Sequence, residues 1–219
     1  FAGISAENFI KNILIRRIGA DYIYVGKNFK FGKNAKGDFK LLRKLSRIYN
    51  FKLEAFEVIR INNQPISSTY IRKLIKKGDL QAAQRLLMRP VSVLGTVIKG
   101  ASLATKLGFP TANINPHHEV LPPSGVYAVK IIFEHQKLNG VCNIGTKPTF
   151  RTQYAIHNTQ DKKHIEVYIF NFRQNIYGRY LEIQFVKKIR DEKKFASSPS
   201  LVKQIKKDII RSKALFSLP

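Results

Sequence analysis

The segment LGFPTANI, Leu107 to Ile114, groups residues that neither a helix nor a sheet core favours. Pro110 fixes its own φ and lacks a backbone donor, and Gly108 admits conformations closed to other residues. Thr111 and Asn113 then offer two side-chain oxygens on one side of an extended segment, because side chains alternate along it. Such an oxygen pair suits a hard cation such as Mg2+. Just upstream, KGASLATKLG carries Gly100, Gly108 and the cations Lys99 and Lys106, a composition that suits phosphate. Phosphoryl transfer also needs an acceptor for the nucleophile's proton. Glu166, in HIEVYIF, stands between Ile165 and Val167 and points away from both. A carboxylate beside metal and phosphate accepts a hydroxyl proton. A solvent-facing strand residue has the same pattern, so at this level the role stays open. The same holds for His164 on that face.

Two further stretches carry chemistry. In ISSTYIR, Ser67, Ser68 and Thr69 open a helix, where free amides and the helix dipole favour an anion. Arg72 lies one turn in and can face the same anion, although a plain N-cap with a surface arginine reads identically. VGKNFKFGKNAKGD, Val25 to Asp38, follows a strand and mixes glycines and lysines with Phe29 and Phe31. Loops at the carboxyl ends of parallel strands bind ligands. A basic surface loop is the equal alternative.

The elements that must hold these residues fall into two textures. Residues 1–88 alternate helix and strand. Ser5 caps a helix carrying Phe9, Ile10, Ile13 and Leu14; DYIYVG is a strand; Leu41, Leu42, Leu45 and Ile48 mark a helix; FKLEAFEVIRI is a second strand. Two helices then break at Gly78, with Asp79 capping the second. This alternation predicts a parallel α/β sheet. Two strands are few for one, so the remainder is expected before Phe1. After Arg89-Pro90, strand-like runs separated by turn residues predict an antiparallel barrel or sandwich, ending in a helix at SPSLVKQIKKDIIRSKALF. Residues 151–163 read as a long loop over a site.

Composition narrows the function classes. The 219 residues carry 39 Lys and Arg against 14 Asp and Glu, a net charge of +25. The basic residues come as scattered pairs and form no single block, which favours a solvated lysine-rich surface over a nucleic-acid partner. Cys142 is the single cysteine, which excludes a disulfide framework and fits a reducing cytoplasm. No run reaches membrane-span length. There is no G-x-S-x-G elbow, no H-E-x-x-H and no Walker A pattern.

Taken in order, FAGISAENFI, GADYIYVGKNFKFGKNAKGDFKLL, ISSTYIRKLIKKGDLQAAQRLLMRP, LGFPTANI, LPPSGVYAV, CNIGTKPTF and YLEIQFVKKIRDEKKFAS resemble the bacterial bifunctional riboflavin kinase/FMN adenylyltransferases, or FAD synthetases. The resemblance runs nearly the whole chain. PTAN after a glycine-bearing loop is the kinase signature, and SST-x-x-R belongs to the nucleotidyltransferase half. The implied fold is an α/β, Rossmann-like, incomplete nucleotidyltransferase segment, residues 1–88, followed by an antiparallel β-barrel riboflavin kinase domain with a C-terminal helix, residues 89–219.

The implied reaction is ATP-dependent phosphorylation of riboflavin to FMN. The resemblance makes Glu166 the general base and Thr111 and Asn113 the ligands of Mg2+ or another divalent ion. It places Gly100, Ser102, Lys106, Gly108 and Pro110 at ATP, and Phe150, Arg190, Glu192, Phe195 and Ser197 at the flavin. In the adenylyltransferase part it points to Asn28, Phe29, Phe31, Ser67, Ser68, Thr69 and Arg72. That activity also needs a G-x-F-D-G-x-H-x-G-H pattern, which this sequence lacks, so FAD synthesis is expected only with the missing N-terminal part. Ser102, Ala104 and Thr105 depart from a flap that elsewhere has more glycines and an arginine, and Lys147 replaces an arginine before PTF. The expected partners are riboflavin, FMN and ATP, with no specific nucleic acid and no membrane. The alternatives are a non-catalytic flavin-binding remnant and a basic nucleic-acid-binding protein.

Overall fold

The computed structural model describes residues 3–61, 63–100, 103–117, 119–145 and 163–217, and the chain divides into two compact units, 1–66 and 67–219.

In the first unit, Ser5 caps α1 (Ala6–Asn8), its Oγ accepting from Asn8 N at 3.3 Å. The chain continues as a π-helix, Phe9–Ile15, where an α-helix was expected. Strand β1 (Tyr22–Gly26) leads to α2 (Phe39–Tyr49), capped by Asp38, whose Oδ1 accepts from Leu41 N at 2.9 Å. Asn50 ends α2 in the left-handed region, φ 53°. Strand β2 (Lys52–Phe56) returns parallel to β1, the pairing that a helical crossover permits. The expected second strand stops at Phe56. A separate short hairpin follows, β3 (Arg60–Ile61) with β4 (Gln64–Pro65). Ala6, Ile10, Val25, Phe31, Leu42, Leu45 and Phe51 form this unit's core.

The second unit opens with α3 (Ser68–Lys77) and α4 (Leu80–Leu87), broken at Gly78 (φ 89°) and restarted by the Asp79 cap. Six antiparallel strands follow: β5 (Ser92–Ile98), β6 (Thr111–Asn115), β7 (Gly125–Phe133), β8 (Gln136–Gly145), β9 (His164–Ile169) and β10 (Tyr180–Arg190). They close into a barrel in the order β10-β5-β6-β9-β8-β7, which leaves no edge strand to aggregate. A short α5 (Leu103–Lys106) lies between β5 and β6, and α6 (Ser198–Phe216) ends the chain. Alternation is strict where it matters. Val93, Ile114, Val129, Ile131, Ile144, Ile165, Val167, Leu181, Ile183 and Phe185 are buried in the barrel.

Helices α3 and α4 share this core through Leu74, Ile75 and Ala83. Compactness therefore divides the chain at 66/67, ahead of the texture change at residue 88, because the helix pair buries its apolar stripe with the barrel. Helix α6 is tied to the barrel by polar contacts. Ser212 Oγ donates to Gly140 O at 3.1 Å, and Arg190 Nε donates to Asp208 Oδ2 at 2.9 Å.

Candidate active site

The site lies on the outer face of the barrel. Because Ile114 points into the core, its neighbour Asn113 and, two residues back, Thr111 point outward, both half-buried. On β9, Ile165 and Val167 point inward, so His164, Glu166 and Tyr168 share the outer face. The register then makes the site: Asn113 pairs with Glu166, and Thr111 with Tyr168. The side chains of directly opposed residues on one face stand about 5 Å apart at Cβ. Thr111, Asn113 and Glu166 are thus one constellation. Their positions along β6 follow from Gly108, whose φ of 88° turns the chain out of α5, and from Phe109, whose ring packs edge-on against Tyr168 at 5.9 Å.

Gly100 completes it from above. A Cβ built there would stand 2.0 Å from Asn113 Nδ2 and 2.7 Å from its Oδ1, so only glycine lets the backbone lie against that amide. Pro110 is exposed at the rim, at the entry to β6. Lys106 ends α5. Ser102 and Phe150 lie outside the described residues.

Burial raises the Glu166 carboxyl above its usual value. Among the described residues nothing donates a hydrogen bond to it, so the carboxylate is held ready rather than neutralised. Cys142, fully buried on the inner face, is pushed far up by burial and secondly by the Glu166 charge, which makes it inert as a nucleophile. Burial lowers the His164 imidazole, keeping it neutral near pH 7.

A residue that sequence reading passed over joins the row. Asn143 on β8 is the other cross-strand partner of Glu166. Its signal was present in CNIG, between the inward-facing Cys142 and Ile144. Beside it, a Cβ at Gly145 would stand 2.6 Å from Glu192 Oε1, so the Glu192 carboxylate rests on the strand at that glycine.

The other expected flavin residues divide. The Arg190 guanidinium is engaged by Asp208, with Nη2 2.8 Å from Oδ2 and Asp208 only 3% exposed. Asp208 also accepts from Gln204 Nε2 at 2.8 Å. Ser197 is the N-cap of α6 in a capping box with Ser200. Phe195 lies between the cations of Arg190 and Lys193, 5.7 and 5.5 Å from its ring.

Away from the barrel face, Ser67 Oγ caps α3 by accepting from Tyr70 N at 3.2 Å, which places Ser68 and Thr69 in the first turn. Thr69, Arg72, Lys73, Lys76 and Val120 line a 370 Å3 pocket with three cationic walls. In the first unit, Phe31 is a core residue rather than a free stacking face. Phe29 stacks on it at 5.4 Å, and Asn28 sits beside Gly26.

The chain matches known protein families along most of its length. A riboflavin kinase family model matches residues 87–216, and an FAD synthetase model matches residues 1–70. The bifunctional riboflavin kinase/FMN adenylyltransferase of Buchnera aphidicola subsp. Schizaphis graminum is 42% identical over 222 residues, covering 100% of this chain and 69% of the relative.

The chain belongs to the bifunctional riboflavin kinase/FMN adenylyltransferase family.

The Haemophilus influenzae member is 39% identical over 99% of this chain and 68% of its own length. Among solved structures, a Streptococcus pneumoniae protein described as a macrolide-efflux protein superposes with a TM-score of 0.73 at 29% identity, covering 97% of this chain and 66% of its own. The chain thus spans about two thirds of the length of these relatives. As a family member, its barrel is a riboflavin kinase domain, whose reaction is the ATP-dependent phosphorylation of riboflavin to FMN. The adenylyltransferase part is represented only in part. Among the described residues no helix is long and apolar enough to cross a membrane.

Proposed function

We propose that the outer barrel face at Thr111, Asn113 and Glu166 is the phosphoryl-transfer centre of this riboflavin kinase. The observation that carries the reading is the cross-strand pair Asn113–Glu166 beneath the Gly100 backbone. Glu166 takes the proton of the ribityl 5′-hydroxyl. The freed oxygen pair forms the bond to the γ-phosphorus of ATP as the bond to the β,γ-bridging oxygen breaks, and ADP leaves.

The donor set fits a hard cation on one condition. Among the described residues there is no cluster of three His, Cys, Asp or Glu side chains to bind a metal alone. Thr111 and Asn113 offer neutral oxygens, so Mg2+ would be held by them together with the ATP phosphates, as Mg2+ commonly is. Bound there, it supplies neutralisation of phosphate charge. Gly100, Gly108 and Pro110 form the cover over those phosphates, and Ser102 and Lys106 are assigned to ATP from the sequence alone.

Glu192 and Phe195 border the flavin, and Phe150 is assigned to it from the sequence alone. Arg190 and Ser197 act behind them, anchoring the β10–α6 connection through Asp208 and the helix cap. The module boundary is placed at 88/89. Asn28 and Phe29 in the first unit and, separately, Thr69 and Arg72 at the basic pocket of the second are assigned to the adenylyltransferase reaction, and this chain forms FMN without FAD. A cytoplasmic enzyme acting on small molecules is the corresponding cellular reading. Replacing Glu166 by Gln tests it: FMN formation falls about 10²- to 10⁴-fold with the flavin still bound.

A further inference from the structure

Tyr168 stands on the outer face two residues beyond Glu166 and directly across from Thr111. Its ring meets two others. Phe109 lies edge-on to it, with centroids 5.9 Å apart and planes at 80°, and Phe170 lies 5.9 Å away at 63°. Phe170 in turn meets Phe216, the last residue of α6, at 6.4 Å and 73°. Lys213 of the same helix turn stands 5.5 Å from the Phe170 ring. The four rings are half-buried and form one row from the loop before β6 to the end of the chain's last helix. Edge-to-face rings at about 4.5–7 Å attract one another beyond the area they bury.

Phe109 is held twice. Its N–H donates to Ala104 O at 2.9 Å, beside Gly108 N donating to Thr105 O at 3.0 Å, so its backbone belongs to the turn that ends α5. Its ring rests on Tyr168. Only Pro110 separates it from Thr111, and a proline's fixed φ leaves little slack between them. The Phe109–Tyr168 contact thus ties the α5 turn to β9 at the strand position opposite Thr111. Glu192, assigned to the flavin, lies the other way along the same strands, at Gly145 across from His164. The row therefore supports the phosphate side of Glu166 and leads away from the flavin side.

We propose that Tyr168 is a positioning residue for ATP: its ring, through Phe109, fixes the α5 turn against Thr111, and Phe170 and Phe216 carry that support back to the end of α6. The inference rests on the reading of Thr111, Asn113 and Glu166 as the phosphoryl-transfer centre. It assigns the role to the Tyr168 ring and none to its hydroxyl.

The test uses the full chain and reads three quantities: Mg2+-ATP affinity by calorimetry, riboflavin affinity by fluorescence quenching, and steady-state FMN formation. Tyr168→Ala and Phe109→Ala should each lower kcat/KM for ATP by about tenfold or more and weaken ATP binding, with riboflavin affinity changed by less than about twofold. Acting through one contact, they should not multiply: the double variant should lose about as much as the worse single one. Tyr168→Phe keeps the ring and should stay within about twofold of the wild type. Tyr168→Leu keeps apolar bulk without the edge-to-face geometry and gives the same comparison where the alanine variant does not fold. Phe216→Ala should act in the same direction by a smaller factor, and wild-type ATP kinetics in it would overturn the part assigned to α6. Unchanged ATP binding and turnover in Tyr168→Ala overturn the proposal and leave the kinase centre standing. So do a loss in Tyr168→Phe equal to that in Tyr168→Ala, which gives the role to the hydroxyl, and equal losses of ATP and riboflavin affinity, which mark a merely structural ring. ATP binding that weakens in Tyr168→Ala while the wild type forms no FMN would instead overturn the kinase centre and leave the aromatic support in place.

Discussion

Asn113 and Glu166 face each other across the β6–β9 ladder, with Ile114 and Val167 buried behind the same two strands. The pair joins a neutral oxygen donor to a carboxylate without spending the charge, because an amide does not neutralise it. Burial does the rest, making Glu166 a stronger base than an exposed glutamate.

That arrangement has a cost in stability with a definite sign. A carboxyl whose pKa is raised on folding binds more protons folded than unfolded in the window between its ordinary and its raised value. Its contribution to stability is therefore present at low pH and is lost as pH rises through that window. Glu166→Gln should melt at a higher temperature than the wild type at pH 7. The difference should shrink as pH falls below the ordinary carboxylate range. Thermal melts at several pH values read this directly. In the wild type, kcat should fall on acidification at a pH above that ordinary range.

Gly100→Ala forces a methyl group into the Asn113 amide, since the built Cβ comes within 2.0 Å of it. The amide or the cover over the phosphates has to move. Misplacing such a positioning group should lower kcat/KM for ATP by about tenfold or more while the melting temperature stays near that of the wild type. Steady-state kinetics in both substrates separate this from a loss of flavin binding.

Arg190 and Asp208 form the buried tie between β10 and α6. Asp208→Ala strands a mostly buried guanidinium and should destabilise the second unit by about 3–5 kcal/mol. Replacing both residues by apolar side chains should recover much of the loss. Urea denaturation of the two variants and the wild type checks the sign and the size.

The outward direction of Thr111, Asn113 and Glu166 was legible in the sequence, because alternation against Ile114, Ile165 and Val167 leaves little choice. Their meeting was not legible from periodicity, since register depends on pairing across more than fifty positions of chain. The family resemblance supplied that link. Asn143 escaped notice for the same reason: an asparagine between buried Cys142 and Ile144 has a direction but no visible partner. Arg190 read as a ligand contact, while its partner Asp208 lay eighteen residues on in a mostly polar helix. The capping residues Ser67, Asp79 and Ser197 were more local matters, and the first two were legible as helix starts. The packing of α3 and α4 with the barrel was not, because Leu74, Ile75 and Ala83 mark an apolar stripe without saying what covers it.

The most direct measurement is a chromatographic separation of riboflavin, FMN and FAD after incubation of the 219-residue chain with riboflavin, ATP and Mg2+, beside Glu166→Gln. The expected result is FMN without FAD from the wild type and at least about a hundredfold slower FMN formation by the variant. No FMN from the wild type, or equal rates for the two proteins, would contradict the phosphoryl-transfer centre at Thr111, Asn113 and Glu166.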